Sequence, residues 1–131
     1  MWFHTAMVER FHPEGRPLPP VPLSSATRAG DFVFVSGQVA NLPDGSVYIG
    51  DFEREVELTI DNVELVLAAA GARLDQVVKV GAYLSNPILF ARFNEVYKRR
   101  FGDAPPARTT VVVNFGHPDV RVEIDVIAHV G

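Results

Sequence analysis

Two charged residues sit where they could handle a small acid and water. Arg108 follows the rigid Asp103-Ala104-Pro105-Pro106 linker and opens a β-branched run, Thr109 to Val113. A guanidinium presents a planar fork that binds a carboxylate through two parallel hydrogen bonds. Glu123 lies in the alternating run from Val120 to His129, among Arg121, Asp125 and His129 on the face opposite Val122, Ile124, Val126 and Ala128. If that face were covered, the carboxylate would be desolvated and its pKa raised, and it could shuttle protons near neutral pH. Position alone leaves both residues a second reading, as exposed charges on a strand edge and an open sheet face.

Other polar positions are less specific. Ser36-Gly37-Gln38 ends a β-branched and aromatic strand. Gly37 allows close backbone approach, to a ligand or at a bulge. Ser36 has no visible His/Asp partner set, which excludes a serine nucleophile. Asn94 falls within the apolar stripe Phe90, Phe93, Tyr97 and Phe101; a buried amide there needs partners, either a tied loop or a ligand. His4, His12, His117 and His129 show no metal-ligand spacing, and the chain has no cysteine, so no metal site is expected. His117, in the Phe115-Gly116-His117-Pro118 turn, is a pocket-lining candidate. No phosphate-binding glycine loop is present.

The elements that must position these residues can be read from pattern. Pro13, Pro17, Pro19, Pro20 and Pro22 make residues 8–22 an extended arm over the surface, or alternatively a ligand for a proline-recognising partner. Strands are expected over 24–29 and 32–36, with a turn at Pro43-Asp44-Gly45. Asp51 reads as an N-cap, Phe52, Val56, Ile60, Val63, Leu67 and Ala70 have helical spacing, and Gly71 is a stop, giving a helix over 52–70. Val77 to Leu84 is a core strand. Asn86-Pro87 starts a second helix that ends at Gly102. Two strands follow, 109–113 and 120–129. The order β-β-α-β-α-β-β predicts a single two-layer α/β domain over residues 1–131, with residues 1–22 as an N-terminal arm and both helices on one face of a single sheet. The other face then needs cover, which further copies of the chain would supply.

Composition narrows the function classes. A chain of 131 residues supports one core and not two. The net charge of −4 argues against a nucleic-acid partner, and the one dense basic run, Lys98-Arg99-Arg100, fits a helix C-terminus. No apolar run approaches the ~20 residues of a membrane span. Met1 to Ala6 lacks the features of a signal peptide and reads as an extension without function, with Met7 as an alternative start. A cytoplasmic location is expected.

Taken in order, Gly30-Asp31-Phe32-Val33-Phe34-Val35-Ser36-Gly37-Gln38, Asn62 to Gly71, Val77-Val78-Lys79-Val80, Phe93-Asn94-Glu95-Val96-Tyr97, Pro106-Ala107-Arg108-Thr109 and Val122 to Ala128 resemble the Rid (YjgF) family across residues 22–129. The resemblance implies a chorismate-mutase-like α/β fold and a homotrimer with clefts between subunits. It implies hydrolytic deamination of reactive enamine and imine acids to 2-keto acids and ammonia, as in 2-iminobutanoate/2-iminopropanoate deaminases, with no metal or organic cofactor. By the same resemblance Arg108 grips the substrate carboxylate, and Glu123 positions water and moves protons. Ser36, Gly37 and Asn94 line the cleft, and the backbone of Thr110 contacts the ligand or water. Leu23 stands where the enamine-detoxifying branch has a cleft tyrosine, which frees space. Two alternatives follow: a 2-aminomuconate-type deaminase of aromatic catabolism, and a module that binds small carboxylates without turnover. A ribonuclease activity, named for some relatives, fits the acidic charge poorly.

Overall fold

A computed structural model describes residues 7–131. Met1 to Ala6, including His4, lie outside the described residues, as does the reading of that stretch as an extension. Six strands and two helices run in the order β1 (Glu9–Phe11), β2 (Ala26–Ala29), β3 (Phe32–Gln38), α1 (Phe52–Ala69), β4 (Val77–Leu84), α2 (Phe90–Phe101), β5 (Ala107–Val112) and β6 (Val122–His129). Single 3₁₀ turns, Leu74–Gln76 and Pro87–Leu89, precede β4 and α2. One sheet has the order β1-β2-β3-β6-β4-β5, antiparallel throughout except for the parallel pair β4 and β5.

The local reasons are those the sequence carries. Asp51 accepts a hydrogen bond from Arg54 N and caps α1, and Gly71 at φ 78° turns the chain out of it, a backbone angle that favours glycine. Asn86 caps the turn before α2, its side chain accepting from Ile88 N, and Pro87 stands where its missing N–H does no harm. That first turn is tighter than an α-helix, so α2 proper begins at Phe90.

Phe52, Val56, Ile60, Val63 and Leu67 of α1 and Phe93 and Val96 of α2 are buried against the sheet. They meet Val33 and Val35 of β3, Val80, Ala82 and Leu84 of β4, and Val122, Ile124, Val126 and Ala128 of β6. Each Val, Leu, Ile or Phe among them stabilises the fold by roughly 1.5–3 kcal/mol when fully buried. The helices cover one face only. The opposite face carries Phe32, Phe34, Tyr83, Glu123 and Asp125, with Phe32 and Phe34 still 43% and 41% exposed.

The structure corrects three expectations. The extended arm is also part of the sheet: Glu9–Phe11 pairs with Ala26–Arg28 as a sixth strand, because a short segment can add to an edge before the prolines begin. Arg121 does not join the polar face of β6. It turns onto α1, where its backbone N donates to Glu55 Oε2 at 2.9 Å and its Nε to Oε1 at 2.7 Å, while one Nη donates to Gly50 O at 2.6 Å. Glu55, in the first turn of α1, is accordingly 1% exposed. Asn94 is exposed rather than buried in the α2 stripe, one helical step around from Phe93.

Candidate functional site

Arg108 lies on β5, the edge strand, directly beside Val80 of β4. Paired residues share a face, and Val80 faces the helices, so Arg108 faces α2. Its guanidinium carbon sits 4.6 Å from the Tyr97 ring centroid and 5.4 Å from that of Phe93. Both are cation–π distances that hold the plane of the fork. Among the described residues no hydrogen bond or ion pair engages Arg108, so its donors are free. Two hydroxyls on the same seam, Tyr97 Oη and Thr110 Oγ1, are buried and have no hydrogen-bond partner. Burial raises the Tyr97 pKa, and the Arg108 charge partly offsets this. An unpartnered buried hydroxyl is uncommon.

Glu123 lies on β6 beside Tyr83 of β4, on the face without helices. Its pKa is raised, first by desolvation and then by the neighbouring charge of Asp125. Asp125 accepts a 2.7 Å hydrogen bond from the Tyr83 hydroxyl. Gly81 leaves the room for that pair, since a side chain there would come within 2.5 Å of Asp125 Oδ1.

The β3–β6 register slips between Val35 and Gln38, so Ser36-Gly37 forms a bulge against Asp125. The bulge turns the bare Cα of Gly37 toward Glu123, and a methyl group there would overlap the Glu123 carboxylate. The Ser36 hydroxyl donates to Ser24 O at 2.6 Å and its backbone N to Ser25 O, which ties the Leu23 segment beside Gly37. The bulge reading of Gly37 therefore holds, and what approaches its bare Cα is the Glu123 side chain.

One chain gathers two partial constellations, not one site. Arg108, Tyr97 and Thr110 lie between β5 and α2. Glu123, Gly37, Ser36 and Asp125 lie on the far side of the sheet. Arg108 and Glu123 are two strands apart, point to opposite faces, and are offset by three residues along β4. With strands ~4.8 Å apart and ~3.3 Å per residue, their Cα atoms are roughly 14 Å apart.

A cavity of about 420 Å³ opens between the arm, α1 and the end of β3. Leu23 and Gly37 line it; Arg108, Glu123, Asn94 and His117 do not. His117 is exposed and accepts a hydrogen bond from Asp119 N. Leu23 is 49% exposed. Among the described residues no three His, Asp or Glu side chains gather as a metal site, and no helix is long and apolar enough to cross a membrane.

Sequence reasoning placed Tyr97 only in the core, although its spacing of four from Phe93 puts both rings on one helical stripe facing β5. It missed the Glu55–Arg121 pair entirely. Nothing in the local pattern links a first-turn glutamate to a residue 66 positions away.

Comparison with known proteins supplies the frame for this geometry. The profile of the family described as Endoribonuclease L-PSP matches residues 14–130. A RutC family protein of Saccharolobus solfataricus is 42% identical over 123 residues, covering 93% of this chain and 98% of its own. The crystal structure of yeast Mmf1, a protein named as mitochondrial, superposes with a TM-score of 0.89 at 33% identity, covering 95% of this chain and 100% of that one. The structure of E. coli TdcF with bound serine superposes with a TM-score of 0.84 at 29% identity, covering 92% and 98%. The two-layer fold with two helices on one sheet is the fold of these structures. The chain belongs to the Endoribonuclease L-PSP family, the family of the YjgF, RutC and Rid proteins.

Proposed function

We propose that this protein is a hydrolytic deaminase of small enamine and imine acids, releasing a 2-keto acid and ammonia. The observation that carries the reading is the Arg108 guanidinium, stacked on Tyr97 and Phe93 with its hydrogen-bonding fork unused. A fork held in place and unpaired fits a planar carboxylate. The serine in TdcF is an α-amino acid and carries such a carboxylate. Glu123 supports the second half of the reading, because a carboxylate with a raised pKa can accept a proton from water and return it to the leaving nitrogen.

In this reading the enamine tautomerises to the imine, Arg108 holds the carboxylate, and water held by Glu123 adds to the imine carbon. The tetrahedral intermediate then expels ammonia. Arg108 and Glu123 face opposite sides of one sheet, so the cleft forms between copies. One copy's β5 edge packs against the uncovered face of the next, as in a closed homotrimer. Phe32 and Phe34, exposed on that face, are apolar surface such packing would cover. Asn94, exposed on α2, is on the side of the Arg108 half. The reading includes a cytoplasmic location.

The assay is ammonia release from imines generated in situ from small amino acids. Wild-type rates well above background, and an Arg108→Ala variant at background, are expected. Equal rates for wild type, variant and buffer would defeat the reading. A carboxylate-binding protein without turnover would instead bind 2-ketobutyrate and release no ammonia. RNA cleavage that is salt-sensitive and lost in Arg108→Ala would replace the reading with the activity in the family's description, which the net charge of −4 does not favour.

A further inference from the structure

The cavity beneath the arm is larger than a three- or four-carbon acid needs, and it adjoins one half of the candidate site. Leu23 and Gly37 belong to its wall, and Gly37 also carries the Glu123 carboxylate against its bare Cα. The apolar part of the wall includes Pro17, Leu18, Val21 and Val66.

One cation lines the cavity. Arg16 donates through Nη1 to Asn62 Oδ1 at 3.3 Å. Asn62 is itself buried and fixed, its amide N–H groups donating to Val39 O and Asn41 O at 2.9 Å each. The main chain of Arg16 is also pinned. His12 Nε2 lies 3.0 Å from Arg16 O, which can only accept, so Nε2 donates, and Nδ1 pairs with the Ser25 hydroxyl at 2.7 Å. Arg16 is thus held from two sides, yet no carboxylate pairs with it among the described residues. The cavity's acid, Asp44, accepts instead from Ser46 N and the Ser46 hydroxyl.

We propose that this cavity is the substrate side-chain subsite and that it takes an elongated 2-imino dicarboxylate, whose distal carboxylate binds Arg16. This rests on the deaminase reading given above. Water adds across the C=N bond and ammonia leaves, so the 2-imino diacid becomes a 2-keto diacid; the distal carboxylate is bound and not transformed. Leu23 contributes apolar surface to the cavity wall and no hydroxyl that would need a partner.

The test compares imines made in situ by amino-acid oxidases from L-2-aminoadipate and L-2-aminobutyrate. Wild type is expected to favour the diacid imine. Arg16→Gln is expected to lower the ratio of kcat/KM, diacid over monoacid, by about tenfold or more, the effect of losing one charge-assisted contact. Leu23→Trp, at an exposed position the fold tolerates, should lower the same ratio by bulk. An unchanged ratio in both variants overturns the proposal while leaving the deaminase reading intact. If wild type turns over neither imine, calorimetric binding of 2-ketoadipate and 2-ketobutyrate decides. A diacid preference lost in Arg16→Gln supports the subsite, and no preference overturns it.

Discussion

The carboxylate of Glu123 occupies the space that a side chain at Gly37 would fill. Glycine is therefore required at the Ser36-Gly37 bulge by a neighbour and not by its own backbone, since its φ is not positive. A methyl group at this position must push the carboxylate aside. The obstacle is the far end of a flexible side chain, so the fold accommodates the change and the site does not. Gly37→Ala should lower kcat/KM on small imines by about ten- to a hundredfold, within the range of a misplaced proton-transfer group. Thermal unfolding should shift little. A variant with full activity would separate Glu123 from the chemistry.

Glu123 also gives a pH-dependent signature. Its folded-state pKa is raised, so ionisation opposes folding. The stability it contributes is present below the unfolded value of about 4.3 and is lost as pH rises through the raised folded value. Glu123→Gln removes this dependence. Urea midpoints of variant and wild type should converge near pH 4 and diverge toward pH 7, with the variant the more stable. The variant should nevertheless lose deaminase activity. A Glu123→Gln protein less stable at pH 7 than at pH 4, relative to wild type, contradicts the assigned desolvation.

Tyr97 and Arg108 separate stacking from hydrogen bonding. Tyr97→Phe keeps the ring under the guanidinium and removes a buried hydroxyl that has no partner. Stability should hold or rise, because a desolvated and unpaired group is lost. A raised KM in this variant would show that the hydroxyl meets the ligand. Arg108→Lys keeps the charge and loses the fork, and kcat/KM should fall by about tenfold or more. Retention of wild-type kcat/KM in Arg108→Lys would mean that only charge is needed.

Because Arg108 and Glu123 lie on opposite faces of one sheet, two inactive variants should rescue each other. Co-expressed Arg108→Ala and Glu123→Gln chains that mix at random in a closed ring would leave about a quarter of the clefts with both residues intact. Activity recovered on mixing, and absent from either variant alone, is the expected result. No recovery in verified mixed oligomers would place both residues in the same cleft from one chain, or one of them outside it.

The Glu55–Arg121 pair carries structure and no proposed chemistry. Glu55 satisfies both the backbone N and the side chain of Arg121, and Arg121 reaches Gly50 O, so the pair joins α1, the loop before it and the entry to β6. Glu55→Ala strands a partly buried cation and a backbone donor, and should cost about 3–5 kcal/mol of stability. The denaturant midpoint should drop, while any chain still folded at low temperature keeps its kcat. A loss of kcat without a loss of stability would give Glu55 a role in the site.

Much of the architecture was legible in the chain. Val77–Leu84 and the span of α1 follow from periodicity and from caps at Asp51 and Gly71, because those signals are local. Arg108 and Glu123 were legible as candidates only through the order of the surrounding motifs. Their local patterns equally describe surface charges. What could not be read was anything set by contacts distant in sequence. β1 pairs because Ala26–Arg28 offers an edge. Arg121 leaves its strand's polar face because Glu55 is across the sheet, and Asn94 is exposed because α2 is rotated to aim Phe93 and Tyr97 at the sheet and at Arg108. The arm cavity depends on how residues 12–23 lie over α1, which no periodicity encodes.

The five prolines between Pro13 and Pro22 have a kinetic meaning for that cavity. Each fixes a backbone angle already in the unfolded chain, so the arm gives up less conformational entropy on docking and has fewer ways to lift off. With His12 fastened to both Ser25 and Arg16, the arm is a stiff wall more than a moving lid. Entry and departure of a molecule there would then be governed by the width of a fixed opening, and would slow with the girth of the visitor rather than with the viscosity that resists large segmental motion.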